Sequence, residues 1–151
     1  MLKKMTSSYV HHTKVIESIL NTFKEELPIL KSDEEFRHNM AEKFHKYGNV
    51  ITVEKEEEPI GFVAFYSNDI STQIAYISFI AVKQKYQGTG VGTLLLNICE
   101  EQSKKNGMNQ IRLEVNTNNE SAQLFYRKNG FDFETIASEK SYYMIKGIKQ
   151  I

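Results

Sequence analysis

The sequence predicts a mixed α/β domain with one central sheet and helices packed around it. Three observations carry this. Apolar residues recur at helical spacing through the first third of the chain. Short β-rich runs separated by turn residues fill the middle. A glycine-rich loop then opens a strand–helix–strand–helix–strands succession. The 151 residues, 1–151, are expected to form a single domain around one core, with no repeat or low-complexity linker to divide them.

In the first helical segment Val15, Ile16, Ile19, Leu20, Phe23 and Leu27 share a face, and Pro28 limits it. Ser32-Asp33-Glu34-Glu35 reads as a capping box with Ser32 as N-cap. The helix it starts carries Phe36, Met40 and Phe44 on one face and ends at Gly48-Asn49. Val50–Val53 and Pro59–Tyr66 read as strands joined by the charged turn Glu54–Glu58, most simply a solvated hairpin loop. A third strand spans Ala75–Val82. The helix after the glycine loop has Val91, Leu94, Leu95, Ile98 and Cys99 on one stripe and stops at Asn106-Gly107. Gln110–Val115 is a strand. Asn119 caps a short helix carrying Ala122, Phe125 and Tyr126, which ends at Gly130. Phe131–Ile136 and Tyr142–Ile145 close the chain as two strands.

Composition excludes several function classes. Basic and acidic residues both total 19, so the chain lacks the net positive field of a non-specific nucleic-acid binder. A single cysteine, Cys99, rules out an internal disulfide and sits on an apolar stripe, as core rather than nucleophile. Two lysines near the start are not followed by the apolar stretch of a signal peptide, and no run approaches the roughly 20 residues of a membrane span. A cytoplasmic protein is the expectation. The histidines His11, His12, His38 and His45 lack metal-ligand spacing, so no metal is expected.

Gln87-Gly88-Thr89-Gly90-Val91-Gly92 packs three glycines into five residues between a strand and a helix. Glycine lets the backbone approach a ligand and adopt positive φ. The first N–H groups of the following helix lack internal partners, and the helix dipole favours an anion there. A phosphate suits such a site. A P-loop is excluded because Gly92-Thr93 lacks the lysine before the threonine. A dinucleotide fingerprint needs a different glycine spacing directly after the strand, although Glu114 sits where a ribose-binding acid would lie.

These residues make the chain resemble the GNAT superfamily of N-acetyltransferases. Gln87–Gly92 matches the family's acetyl-CoA motif of the form Gln/Arg-x-x-Gly-x-Gly/Ala, and Ile80-Ala81-Val82 resembles the end of its cofactor strand. Asn119, Ala122, Tyr126, Gly130 and Phe131 match a second motif, with Phe125 in place of the usual leucine. The similarity covers about residues 75–133. It implies acetyl-CoA as co-substrate, with the pyrophosphate on the backbone of Gln87, Gly88, Thr89, Gly90, Val91, Gly92 and Thr93 at the helix start. It also implies that the pantetheine arm lies along Phe79, Ile80, Ala81 and Val82, contacted by Asn119 and Tyr126. The expected reaction is direct acetyl transfer to a primary amine of a small molecule, amino sugar or protein N-terminus. A dimer is common in the family.

Tyr126 matches the family's catalytic tyrosine; a phenol, protonated at neutral pH, can donate to a leaving thiolate. The plainer reading is a core tyrosine tied to a backbone carbonyl. Glu114 points to the strand face opposite Leu113 and Val115 and stands as general base, resembling the glutamate of the family's N-terminal alanine acetyltransferases. Its plainer reading is an ion pair with Arg112 or Lys128, or a solvated side chain; the resemblance equally implies a water relay in place of a single essential base. Tyr76 and Ser78 are placed to line the substrate side. The acceptor is expected between the N-terminal helices, the Tyr66–Ile74 loop and the C-terminal hairpin. Two other classes stay open at this point: a non-catalytic acyl-CoA-sensing domain, and a dinucleotide-binding oxidoreductase fragment.

Overall fold

The computed structural model describes residues 5–150. Met1–Lys4, which the leader-peptide reading above weighed, lies outside them. One seven-stranded sheet runs in the order β1-β2-β3-β4-β5-β7-β6. Its strands are β1 (Met5–Tyr9), β2 (Asn49–Lys55), β3 (Glu58–Tyr66), β4 (Ile74–Val82), β5 (Gln110–Asn116), β6 (Asp132–Ser138) and β7 (Ser141–Gly147). All neighbours are antiparallel except β4 and β5, which are parallel.

Strand alternation divides the core in two. Phe62 and Ala64 of β3 face α1 (Thr13–Thr22) and α2 (Glu34–Tyr47), whose Ile16, Leu20 and Phe44 are buried against them. Val63 and Phe65 face the other way, toward α3 (Val91–Lys105) through Val91, Leu95 and Cys99. The last helix, α4 (Glu120–Lys128), lies on that second side, with Ala122, Phe125 and Tyr126 packed against the same cluster.

Several elements differ from the sequence reading, each for a local reason. α1 ends at Thr22 rather than running to Leu27; Phe23–Glu26 form turns and Pro28–Lys31 a short 3-10 turn. Asp33, not Ser32, caps α2: its carboxylate accepts from the Phe36 N–H, while the Ser32 hydroxyl bonds back to the Ile29 carbonyl. The β2–β3 turn is tighter than a five-residue loop, because Glu56 and Glu57 both take positive φ, 55° and 68°, the hairpin geometry usually given to Asn-Gly. On α3 Leu94 is exposed and Leu96 is buried instead.

Two irregularities shape the centre. Ala64 pairs with Phe79 and Phe65 with Ile77, so Ser78 is an extra, bulged residue in β4. The bulge resets the alternation: Ala75 and Ile77 pack on the α3 side before it, and Ile80 and Val82 do so after it. The parallel pairing of β4 with β5 stops at Ile77 and Leu113. Beyond that point the strands diverge, and among the described residues the β5-facing edge of β4 from Phe79 to Val82 pairs with no strand, its one partner being the Gln87 side chain at the Val82 carbonyl.

Candidate active site

The divergence of β4 and β5 opens a cleft of about 560 Å³. Its walls are Ile80–Val82 of β4, the loop residues Gln87, Gly88 and Gly90, Gly92 and Thr93 of α3, and Asn119, Ala122 and Tyr126 around the start of α4. A smaller recess of about 170 Å³ continues from it between the strands, lined by Leu27, Ser78, Phe79, Glu114, Asn116 and again Tyr126.

The loop end is an anion cradle made of backbone. Gly88 and Gly90 have φ of 79° and 97°, a region in which a side chain is strained. Among the described residues nothing accepts a hydrogen bond from the Gly88, Thr89 or Gly90 N–H. The first three N–H groups of α3 have no partner within the helix, whose first capping bond runs from the Leu94 N–H to the Gly90 carbonyl. These donors fit a phosphate or pyrophosphate at the positive end of the helix dipole. The Gln87 side chain pins the loop to the Val82 carbonyl at 3.0 Å. Gly92 serves a different need: a Cβ there would stand 2.8 Å from Phe125 Cζ, so the glycine lets α3 and α4 approach.

Not every residue of the motif turns to the cleft. Val91 is buried in the core, and the Thr89 hydroxyl donates to the Tyr86 carbonyl. The Phe79 ring packs edge-on against Phe44, 5.9 Å between centroids, and Phe79 borders the smaller recess rather than the larger cleft. Asn119 caps α4 at the cleft wall, its Oδ1 accepting from the Ala122 N–H at 3.1 Å, and among the described residues its amide nitrogen donates to no partner.

Tyr126 belongs to both cavities, between the rings of Phe125 and Phe131. Burial pushes its pKa up to about 12, so it stays protonated at neutral pH. The backbone tie expected of a plain core tyrosine is absent among the described residues. Glu114 lines the small recess with Tyr126. It does not pair with Arg112, which makes two 2.7 Å bonds to Glu134. That fork raises the arginine pKa and holds the Glu134 carboxyl below the usual range. Glu114 instead accepts from the Ser141 hydroxyl at 2.6 Å. Tyr76 stands near enough that burial, followed by the Glu114 charge, raises its pKa.

Among the described residues, none from the Tyr66–Ile74 loop lines either cavity. Ser67 bonds to Asn106 and Gln73 to the Gly107 carbonyl, at the far end of α3 from the glycine loop. The N-terminal segment does reach both, through Glu26 at the cleft and Leu27 at the recess. Lys83, 3.4 Å from Glu26, offsets that carboxylate beside the anion cradle.

Residues 16–131 match the family model described as the acetyltransferase (GNAT) family. The chain belongs to the GNAT acetyltransferase family. It is 29% identical over 112 residues to a putative [ribosomal protein bS18]-alanine N-acetyltransferase of Bacillus subtilis, covering 74% of this chain and 70% of that protein. It is 38% identical over 79 residues to an uncharacterised N-acetyltransferase of Methanocaldococcus jannaschii, covering 50% of this chain but only 35% of that protein's length. Among solved structures it resembles the ribosomal-protein-S18-alanine N-acetyltransferase of Escherichia coli, with a TM-score of 0.76 at 18% identity over 98% of this chain and 96% of that one. It also resembles a putative streptothricin acetyltransferase of Bacillus anthracis in complex with acetyl coenzyme A, with a TM-score of 0.62 at 27% identity over 68% of this chain and 64% of that one.

In this GNAT domain the sequence reading missed Glu26, Leu27, Ser121 and Asn116 as wall residues. Ser121 carried a usable signal, lying two residues after the Asn119 cap. Glu26 and Leu27 carried none, because they follow α1 in a turn that no motif marks.

Proposed function

We propose that this protein transfers the acetyl group of acetyl-CoA directly to a primary amine. The observation that carries the reading is the divergence of β4 from β5, with an anion cradle at one end and Glu114 and Tyr126 together at the other. The backbone of the Gly88–Thr93 segment holds the pyrophosphate. The β4 edge from Phe79 to Val82, unpaired with β5, takes the pantetheine arm like an added strand, and Asn119 steadies it with its amide. That the Bacillus anthracis neighbour is in complex with acetyl coenzyme A supports the choice of co-substrate.

The chain's own groups then divide the chemistry. Glu114 accepts the proton that the amine loses as its nitrogen bonds to the thioester carbonyl carbon. Backbone N–H groups of β4 that point away from β3 stabilise the charge on the carbonyl oxygen. Tyr126 donates its phenolic proton to the sulfur as the carbon–sulfur bond breaks. The amine enters through the recess beside Leu27, whose volume of about 170 Å³ suits a slim primary amine. The name of the Bacillus subtilis relative supports a protein N-terminus beginning with alanine as the first acceptor to try.

A thiol-release assay with acetyl-CoA tests the reading, using a hexapeptide with a free N-terminal alanine, glucosamine and spermidine as acceptors. Acceptor-dependent thiol release is expected from at least one. A folded protein that releases no thiol with all three contradicts the transferase reading and favours a domain that only binds acyl-CoA.

A further inference from the structure

Glu114 sits at the end of a directional chain of hydrogen bonds that starts in the β6–β7 turn. The Lys140 N–H can only donate, and it donates to Ser138 Oγ at 3.1 Å. Ser138 Oγ lies 2.8 Å from Ser141 Oγ. Ser141 Oγ donates to Glu114 Oε2 at 2.6 Å. Because Ser141 spends its proton on the carboxylate, its lone pair is left to accept from Ser138, whose own lone pair takes the Lys140 N–H. Every donor therefore points toward Glu114, and each bond polarises the next.

The backbone is arranged for this. Register shifts between Ile136 and Ser138, leaving Ala137 as the extra residue and setting Ser138 opposite Ser141. Ser141 in turn pairs with Asn116 and Glu114 with Tyr143, so Ser141 and Glu114 are diagonal neighbours on one sheet face. Ser141 is buried, so its hydroxyl is held in place from the protein side, while Glu114 itself is exposed. The other charged and phenolic groups near Glu114 do not compete for that oxygen: Arg112 is committed to Glu134, and Tyr76 and Tyr143 make no hydrogen bond to it among the described residues.

We infer that Ser141, backed by Ser138, is a positioning residue for acetyl transfer: it fixes Glu114 through Oε2 and leaves Oε1 to face the acceptor amine. The inference rests on the proposed role of Glu114. A carboxylate free to rotate would spend much of its time hydrated or turned away from the recess, and the chain removes that freedom before the acceptor arrives.

The test is steady-state kinetics on the full chain with acetyl-CoA and the alanine-led hexapeptide, beside acetyl-CoA affinity by calorimetry. Ser141→Ala should lower kcat about tenfold, the scale of one lost hydrogen bond to a charged group, with acetyl-CoA affinity unchanged. Ser141→Thr, which keeps the hydroxyl, should restore most of the rate. Ser138→Ala should cost about threefold. In a Glu114→Gln background, Ser141→Ala should cost nothing further. A slow Glu114→Gln enzyme with Ser141→Ala at the wild-type rate would overturn the positioning role and leave Glu114 as base. Equal losses in Ser141→Ala and Ser141→Thr would reduce Ser141 to packing and also overturn it. A Glu114→Gln enzyme at the wild-type rate would remove the base and the positioning role together.

Discussion

The glycine-loop wall of the cleft, from Ile80 to Thr93, is made mostly of backbone, whereas the wall around Glu114 is made of side chains from four separate stretches of the chain. The first wall needs particular φ values and free N–H groups, and those leave a compact trace in sequence at Gly88 and Gly90. The second needs Leu27 from the turn after α1, Ser78 from a bulge, Glu114 from β5 and Ser141 from β7. No spacing rule links these positions. A family can therefore keep the first wall while varying the second, which is how one cofactor site serves many acceptors.

Mutations on the two walls should separate cleanly. The largest effect is expected from Gly90→Glu, which places a strained side chain and a negative charge at the anion cradle. Acetyl-CoA binding should fall below detection in calorimetry while the far-ultraviolet circular dichroism stays native. On the other wall, Glu114→Gln should lower kcat about a hundredfold and leave acetyl-CoA affinity untouched. Tyr126→Phe should slow turnover about tenfold, again without loss of binding. If either of these two variants instead weakened acetyl-CoA binding as Gly90→Glu does, the two walls would not be functionally distinct.

The smallest expected effect concerns the support beneath Leu27. His38 of α2 bridges Glu17 of α1 and Glu42, each at 2.8 Å. The hydrogen bond to Glu17, with help from Glu42, raises its pKa above the ordinary 6.5. A raised folded-state pKa means the bridge contributes fully below pH 6.5 and is lost as pH rises through the raised value. The protection of α1 against hydrogen exchange, taken relative to the intrinsic rate at each pH, should fall slightly over that interval in the wild type and show no such step in His38→Gln. The glycine loop, which does not touch His38, should show none in either.

The same contrast explains what was legible in the sequence. The order from β4 through α3 and β5 to the Asn119 cap and Tyr126 was readable, because apolar periodicity and glycine spacing record it directly. β1 was not: all five of its residues, Met5–Tyr9, are exposed on a sheet edge, so no alternation marks it. The end of α1 was overrun because Phe23 is fully buried and Leu27 partly so, both in helical register although the backbone has turned. The tight Glu56-Glu57 turn was hidden by residues that rarely take positive φ. The Ser78 bulge has no residue signature, yet it restores Ile80 and Val82 to the α3 side where the strands part. Gly92 was readable as a motif residue, but its reason, the closeness of Phe125, needed the three-dimensional packing.

Calorimetric titration of the purified protein with acetyl-CoA, with NAD as the control ligand, tests the central claim most directly. The account predicts saturable binding of acetyl-CoA alone, lost in Gly90→Glu and retained in Tyr126→Phe. A folded protein that binds NAD and ignores acetyl-CoA would contradict it.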